Sequence, residues 1–211
     1  LYHLLGYWLE GCKRPAHAWL LQSTGNVRCS VLDYGCGVGC DGLWLLDAGY
    51  DVSFADVPSP SLEFLRWRLR ERWHFGASVY ELPLRQAVPP HTFIWCMDVV
   101  EHLPPDDHLP FLEHLASLGQ FVLVNLIADA HADGTVHHPV DIEGLTAGIR
   151  ERWSLVYQDY YAERTGNWTR FLCYGPAVPV ALLKRVELEG TGMVVGGPED
   201  RPDYARAGDR V

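Results

Sequence analysis

Short apolar runs alternate with segments of helical periodicity from about residue 30 to residue 175. The apolar runs predict strands at residues 31–33, 52–55, 78–82, 93–97 and 121–127. Apolar spacing and end signals predict helices at residues 41–48, 60–73, 106–118 and from Asp141 to about Trp153. A last strand pair is predicted at 155–161 and 170–174, around the turn Thr165-Gly166-Asn167. This alternation predicts an α/β fold with a doubly wound, mostly parallel sheet of seven strands, of which one is antiparallel.

Two regions flank this alternating segment. Residues 1 to about 12 have leucine and tryptophan at helical spacing, and Pro15 is suited to open a second helix. After residue 176 the periodicity fades, and glycine, proline and charged residues become frequent. We therefore expect lid or packing helices at residues 1–30, a ligand-binding domain at 31–175 and an extension at 176–211.

The helix predicted after residue 59 has an apolar and an arginine-rich face. Ser59 and Pro60 are typical of a helix N-terminus. The apolar stripe consists of Leu62, Leu65, Leu69 and Trp73. The other face contains Arg66, Arg68, Arg70 and Arg72, interleaved with Glu63 and Glu71. A phosphate site is one interpretation of these arginines, but the interleaved glutamates favour a solvated face.

Composition and charge restrict the classes of partner. The chain has 211 residues, of which 48% are hydrophobic, enough for one globular core. A formal net charge of −10 opposes long-range attraction to nucleic acid and to acidic membrane surfaces, so a small-molecule partner is favoured.

No apolar run has the length of a bilayer span, and we expect no membrane association and a cytoplasmic location. The six cysteines form no CxxC pair and are predicted to be reduced thiols. The oligomeric state stays open.

A glycine turn follows the first predicted strand, with glycines at 35, 37 and 39. Such spacing lets the backbone turn sharply and approach a nucleotide-like ligand. Asp33 precedes Gly35 by two residues, where its charge would oppose the diphosphate of NAD or FAD. The third glycine also comes one residue early for a dinucleotide fingerprint, since Cys40 stands where that glycine belongs. A cationic ligand with a ribose that Asp56 can hold fits better, and S-adenosylmethionine has a positive sulfonium and no phosphate.

Three segments together resemble the class I S-adenosylmethionine-dependent methyltransferases, in the branch of small-molecule methyltransferase domains. Residues 31–39, Val-Leu-Asp-Tyr-Gly-Cys-Gly-Val-Gly, are similar to the first motif of that family. Asp56 resembles the ribose-binding acid at the end of its second strand. Residues 96–103, Cys-Met-Asp-Val-Val-Glu-His-Leu, are similar to its fourth-strand motif. The resemblance covers roughly residues 31–175 and implies S-adenosylmethionine as the cofactor.

The resemblance also implies roles for individual residues. Asp33 would hold the methionine amino group, directly or through water, and the backbone from Tyr34 through Gly35, Cys36 and Gly37 to Gly39 would lie beneath the methionyl and ribose parts. Asp56 would accept from the ribose hydroxyls, and Val57 would pack against adenine. Glu81, beside Leu82, is the nearest candidate for the acid at the adenine amino group, although its spacing departs from the family pattern and an exposed strand-end glutamate is an equal alternative. Asp98 would border both the methionine and the methyl acceptor.

His102 is the candidate general base for an acceptor that must lose a proton. An imidazole titrates near neutral pH, which suits that task. The alternative is that His102 braces the loop before Pro104 and Pro105. His131, His137 and His138 raise the possibility of a metal site, but adjacent His137 and His138 do not easily face one ion, so no metal is predicted.

The favoured function is transfer of a methyl group to oxygen or nitrogen of a small-molecule acceptor. A noncatalytic subunit with the methyltransferase fold, binding a partner through its terminal regions, is the alternative. Asp33, Gly35, Gly37 and Asp56 speak against it, because a degenerate subunit usually loses such residues. A third interpretation, an NAD-dependent oxidoreductase, is opposed by Asp33 and Cys40.

Overall fold

The computed structural model describes residues 13–25, 29–85, 87–128, 137–162 and 168–175, with only the backbone at 161, 162 and 168. The helix predicted at 1–12, the turn at 165–167 and the extension at 176–211 lie outside these residues, as does the loop at 129–136 with its candidate ligand His131. Within the described ranges, no helix is both long and apolar enough to cross a bilayer.

Seven strands form one sheet in the described part of the chain. They are β1 (Ser30–Tyr34), β2 (Asp51–Asp56), β3 (Val79–Glu81), β4 (His91–Cys96), β5 (Gly119–Ala128), β6 (Ser154–Ala162) and β7 (Trp168–Gly175). Their order is β3-β2-β1-β4-β5-β7-β6, and β7 runs antiparallel to both of its neighbours, β5 and β6. The predicted fold class is confirmed. Because the strand order reverses between β1 and β4, a crevice opens beyond their carboxyl ends.

Five helices accompany the sheet in the described residues. They are α1 (Arg14–Thr24), α2 (Cys40–Asp47), α3 (Pro60–Glu71), α4 (His108–Leu118) and α5 (Ile142–Arg152). Side chains cap two of them as the sequence predicts. Ser59 Oγ accepts from the amide of Leu62 at 3.2 Å, and Asp141 Oδ1 accepts from the amide of Gly144 at 2.9 Å. A 3₁₀ helix at Val100–His102 follows β4 directly.

The core lies in two layers, one on each face of the sheet. Consecutive residues of β4 alternate between them, with Phe93 and Trp95 in one layer and Ile94 and Cys96 in the other. Leucines of α1, α2 and α3 pack into the first layer, and those of α4 and α5 pack into the second. Both faces of the central strands are therefore buried, which explains why these strands consist of continuous apolar runs in the sequence.

The structure corrects the predicted stripe of α3 at Trp73. Leu62, Leu65 and Leu69 are buried, whereas Trp73 is 80% exposed. The helix ends at Glu71, and Trp73 has a φ of +61° in a turn closed by the amide of His74 donating to the carbonyl of Leu69. The periodicity continues in the sequence beyond the point where the backbone leaves the helix.

The arginine-rich face of α3 is solvated at Arg70 and Arg72, as predicted, but not at Arg68. The half-buried Arg68 donates to the carbonyl of Val38 at 2.6 Å, which ties α3 to the glycine turn. Arg72 pairs with Asp47 at 2.8 Å on the surface. Arg68 and Arg72 therefore have structural partners, and the predicted solvated face is confirmed at Arg70 and Arg72 alone.

Candidate active site

A cleft lies beyond the carboxyl ends of β1 and β4. Its lining includes Lys13, Asp33, Gly35, Cys36, Gly37, Val38, Cys40, Asp41, Met97, Asp98, Glu101, His102, Ile127 and His137. We call the part formed by Asp33 and residues 35–39 the glycine-turn side. We call the part formed by Asp98, Glu101, His102 and His137 the histidine side. Of the predicted site residues, Asp33, Gly35, Cys36, Gly37, Asp98 and His102 line this cleft.

The glycine turn is held in a conformation that L side chains rarely adopt. Gly35 has a φ of +75° and Gly37 a φ of +54°. The amides of Gly35 and Cys36 both donate to the carbonyl of Ala55, at 2.8 and 3.2 Å, which fixes the turn over the end of β2. A Cβ at Gly35 would collide with Val99, whereas a Cβ at Gly37 would meet nothing within 4 Å. Gly37 therefore faces open space that a ligand can fill.

Asp33 is buried at the base of the cleft. It is 4% exposed, and its Oδ2 accepts from the amide of Gly42 at 3.0 Å. Burial, and then the charge of Asp41, raises the pKa of Asp33 well above its ordinary value. A positive charge placed in the cleft would favour the ionised carboxylate, so this group is suited to a cationic ligand.

Lys13, which the sequence analysis did not single out, joins the two sides of the cleft. Its Nζ lies 2.9 Å from Asp41 Oδ2 and 2.7 Å from Asp98 Oδ2. His17 Nε2 lies 3.3 Å from the other oxygen of Asp41, and the His17 ring packs against Trp44 and Trp95. Burial alone would raise the pKa of Asp41, but Lys13 and His17 lower it to about 2. The only sequence signal for Lys13 was its position next to the helix start.

Asp98 is fixed by a partner from the neighbouring strand. Its amide donates to Asn125 Oδ1 at 2.7 Å, and Asn125 Nδ2 donates to Asp98 Oδ1 at 2.6 Å. Asp98 also has a φ of +57°, an uncommon conformation for a residue other than glycine. Asn125 was predicted only as part of a strand, yet it orients the carboxylate that Lys13 contacts.

Asp56 braces the glycine turn from the end of β2. One of its carboxylate oxygens accepts from the amide of Gly37, and the other accepts from the amide of Val57 at 2.6 Å. Val57 is 55% exposed. Both residues stand next to the cleft lining rather than within it, and their proposed contacts with ribose and adenine stay predictions.

Three other predicted residues lie away from the cleft. Glu81 pairs with Arg66 at 2.8 Å on the surface, and Leu82 packs partly buried against the second core layer. The Tyr34 side chain is buried in that same layer, with its hydroxyl 3.4 Å from His114 Nε2, and burial raises its pKa to about 12. Only the backbone of Tyr34 is therefore available for the role predicted from the glycine turn.

On the histidine side, the chain brings together a carboxylate and two imidazoles. Glu101 is 1% exposed, His102 is exposed and His137 is half-buried. One potential ligand atom from each of the three lies within 4.8 Å of the others. The amide of His138 donates to the carbonyl of Glu101 at 2.7 Å, which joins the two segments. The sequence suggested His137 as a metal ligand together with His131 and His138, whereas the structure groups His137 with Glu101 and His102.

Comparisons with known proteins give the same fold. No protein-family model matches the chain. The chain is 28% identical over 109 residues to the magnesium-protoporphyrin O-methyltransferase of Synechocystis, covering 51% of this chain and 47% of that protein. The chain thus matches about half the length of that curated relative.

Solved structures agree over a larger part of the chain. Magnesium protoporphyrin IX methyltransferase from Synechocystis with bound SAM has a TM-score of 0.66 and 20% identity, covering 78% of this chain and 77% of its own. A Burkholderia thailandensis 1,6-didemethyltoxoflavin N1-methyltransferase with bound S-adenosylhomocysteine has a TM-score of 0.65 and 18% identity, covering 84% of each chain. These structures confirm the fold that the three sequence motifs implied, and the chain has the fold of the class I S-adenosylmethionine-dependent methyltransferases.

Proposed function

We propose that this protein transfers a methyl group from S-adenosylmethionine to an oxygen or nitrogen atom of a small-molecule acceptor. The observation that carries the proposal is the charge of the cleft at the point where strand order reverses. Among the described residues, the lining includes four carboxylates, Asp33, Asp41, Asp98 and Glu101, and a single lysine, Lys13. Such a site favours a cationic ligand and disfavours a diphosphate.

The residues present fit the cofactor. Gly37 faces open space beside Asp33, and Asp56 reaches the same turn from β2. In this arrangement Asp33 holds the amino group, the backbone from Tyr34 to Gly37 lies beneath the ligand, and Asp56 and Val57 take the ribose and the adenine. Asp98, fixed by Asn125, borders the methionyl part and the acceptor. Glu81 would have to leave Arg66 to reach an adenine amino group, so it contributes least to this proposal.

When bound, the cofactor supplies an electrophilic methyl group on a sulfonium. The task of the protein is to hold the acceptor atom in line with that methyl group and to exclude competing nucleophiles. A hydroxyl must also lose a proton as the new bond forms, and a protonated amine must lose one before its nitrogen can attack. His102 is exposed at the cleft and is the proposed general base, which takes this proton on an imidazole nitrogen.

Two features support a small acceptor over a macromolecule. The net charge of −10 disfavours a nucleic acid. Similar proteins include a magnesium-protoporphyrin O-methyltransferase and a 1,6-didemethyltoxoflavin N1-methyltransferase, which supports oxygen or nitrogen as the acceptor atom. A cytoplasmic location stays a prediction.

Titration calorimetry with S-adenosylhomocysteine and with NADH tests the cofactor. We expect binding of S-adenosylhomocysteine alone. Binding of NADH alone would support the oxidoreductase interpretation, and binding of neither would favour the noncatalytic subunit. His102→Ala should then lower turnover of an identified acceptor while S-adenosylhomocysteine affinity stays unchanged. His74→Ala, on the half-buried histidine that faces Asp47 beside α3, is the matched control.

A further inference from the structure

We propose that Glu101, His102 and His137 bind a divalent transition-metal ion on the histidine side of the cleft. The proposal goes beyond methyl transfer, because it concerns a second ligand of the protein. It rests on the convergence of three side chains from two separate segments. Potential ligand atoms from all three lie within 4.8 Å of one another.

The donor set selects the kind of ion. Two imidazole nitrogens and one carboxylate oxygen suit zinc, iron, cobalt or manganese better than calcium or magnesium, which prefer oxygen ligands. Ligand atoms on such an ion lie about 3.4 Å apart in tetrahedral geometry and about 4.2 Å apart on opposite sides of the ion, since each is about 2.1 Å from the metal. Bringing the widest pair to these distances requires a displacement of up to about 1.4 Å, which is within the range of side-chain rotation at the exposed His102.

Backbone hydrogen bonds hold the two segments that contain the three residues side by side. Glu101 and His102 belong to the 3₁₀ helix Val100–His102, in which the amide of His102 donates to the carbonyl of Val99 at 3.0 Å. The amide of His138 donates to the carbonyl of Glu101 at 2.7 Å, which places His137 beside this helix. The His102 and His137 rings have centroids 4.8 Å apart at an angle of 66°. Two ligands on one short helix, and a third whose neighbour His138 is hydrogen-bonded to that helix, form a compact chelating group.

The electrostatics of the cleft favour an added cation. Glu101 is almost fully buried, and Asp33, Asp41 and Asp98 line the same cleft with Lys13 as the one lysine of the lining. A divalent ion held by one carboxylate and two neutral imidazoles leaves water or acceptor positions open. A bound ion also takes the nitrogen lone pair that His102 uses as a general base. In the loaded protein, an acceptor hydroxyl on the ion would instead lose its proton to solvent.

Cobalt titration of the untagged, chelator-treated full chain tests the site. We expect one Co²⁺ per chain, with the visible absorption of a four- or five-coordinate ion, and competition by Zn²⁺. His102→Ala and His137→Ala should each weaken Co²⁺ binding by at least tenfold. His138→Ala, on the neighbouring histidine outside the group, and His74→Ala should bind Co²⁺ as the wild type does.

The outcomes separate this inference from the proposed function. No Co²⁺ uptake, or equal uptake by wild type and the His102→Ala, His137→Ala double variant, would overturn the metal site. S-Adenosylhomocysteine binding by the same metal-free protein reports on the cofactor proposal independently. It also verifies that each variant is folded, since His102 and His137 are not fully buried.

Discussion

The glycine-turn side of the cleft is one continuous stretch of chain, residues 33–39, which contacts β2 largely through backbone groups. The histidine side combines side chains of residues 98–102 with that of His137, and it also depends on Asn125 from β5. Gly35 and Cys36 donate backbone hydrogen bonds to the end of β2, while Asp98 depends on the side chain of Asn125. A ligand site formed by backbone groups requires particular backbone dihedral angles, and motifs such as spaced glycines indicate those angles in the sequence. A site made of distant side chains depends on which strands become neighbours.

Replacing Lys13 is the strongest test of how the two sides are held together, because Lys13 contacts Asp41 next to the glycine turn and Asp98 on the histidine side. Lys13→Met leaves the buried Asp41 and the half-buried Asp98 without their lysine, and we expect a loss of about 3–5 kcal/mol in the free energy of unfolding, mostly from Asp41. Urea denaturation measures this loss. Arg72→Met removes an exposed ion pair with Asp47 and should lose less than about 1 kcal/mol. Equal losses in the two variants would show that Lys13 does not hold the two sides together.

Alanine at two glycines of the turn separates folding from ligand binding. Gly35→Ala adds strain at a φ of +75° and a collision with Val99, so we expect a loss of about 2–4 kcal/mol in unfolding free energy. Gly37→Ala adds strain of about 1 kcal/mol but no collision, and its methyl group enters the space proposed for the cofactor.

Denaturation and S-adenosylhomocysteine titration on the same samples distinguish these effects. Gly37→Ala should lose at least about tenfold in affinity, equivalent to about 1.4 kcal/mol, while remaining the more stable variant. Gly76→Ala is the control, because nothing lies within 4 Å of its added Cβ. If Gly37→Ala bound as tightly as the control, the open space at Gly37 would not be a ligand site.

Asp56→Ala tests whether the end of β2 contributes to ligand binding. We expect S-adenosylhomocysteine affinity to fall by about 1–3 kcal/mol, through the loss of hydrogen bonds to a charged acceptor. Titration calorimetry gives this value. Asp51→Ala, at the exposed start of the same strand, should bind as the wild type does. Unchanged affinity in Asp56→Ala would remove Asp56 from the ribose role.

The smallest expected effect is a pH dependence of ligand affinity that arises from Asp33. Its pKa in the free protein is raised well above 3.8, first by burial and then by Asp41, and a positive amino group would lower that pKa on binding. Binding then releases a proton. The affinity for the ligand therefore rises with pH between the ordinary pKa of an aspartate and the raised pKa of Asp33 in the free protein. The slope is at most about tenfold per pH unit.

Calorimetry over a pH series, in buffers with different ionisation enthalpies, measures this proton release. Asp33→Asn keeps an oxygen that can accept from the amide of Gly42 but has no proton to release. Its affinity should be lower than that of wild type and should not change with pH in this range. An identical slope in both proteins would assign the titration to another group.

Local patterns account for what the sequence predicted correctly. Continuous apolar runs predict the buried strands because both of their faces are covered, and the Ser59 and Asp141 caps mark helix starts by contacts within three residues. The error at Trp73 arises because the apolar spacing continues in the sequence after the helical conformation has ended. Trp73 follows the apolar stripe of α3 in sequence yet stands in a turn after the helix ends.

The amino-acid sequence by itself determined the α/β fold and the glycine turn after β1. Both follow from signals read over a few neighbouring residues, namely hydrophobic period, helix caps and the need for positive φ at Gly35 and Gly37. Only the tertiary structure decided that Lys13 pairs with Asp98, and that His137 joins Glu101 and His102. These contacts depend on strand order and on the docking of a helix and a loop on the sheet, which no short-range pattern in the chain specifies.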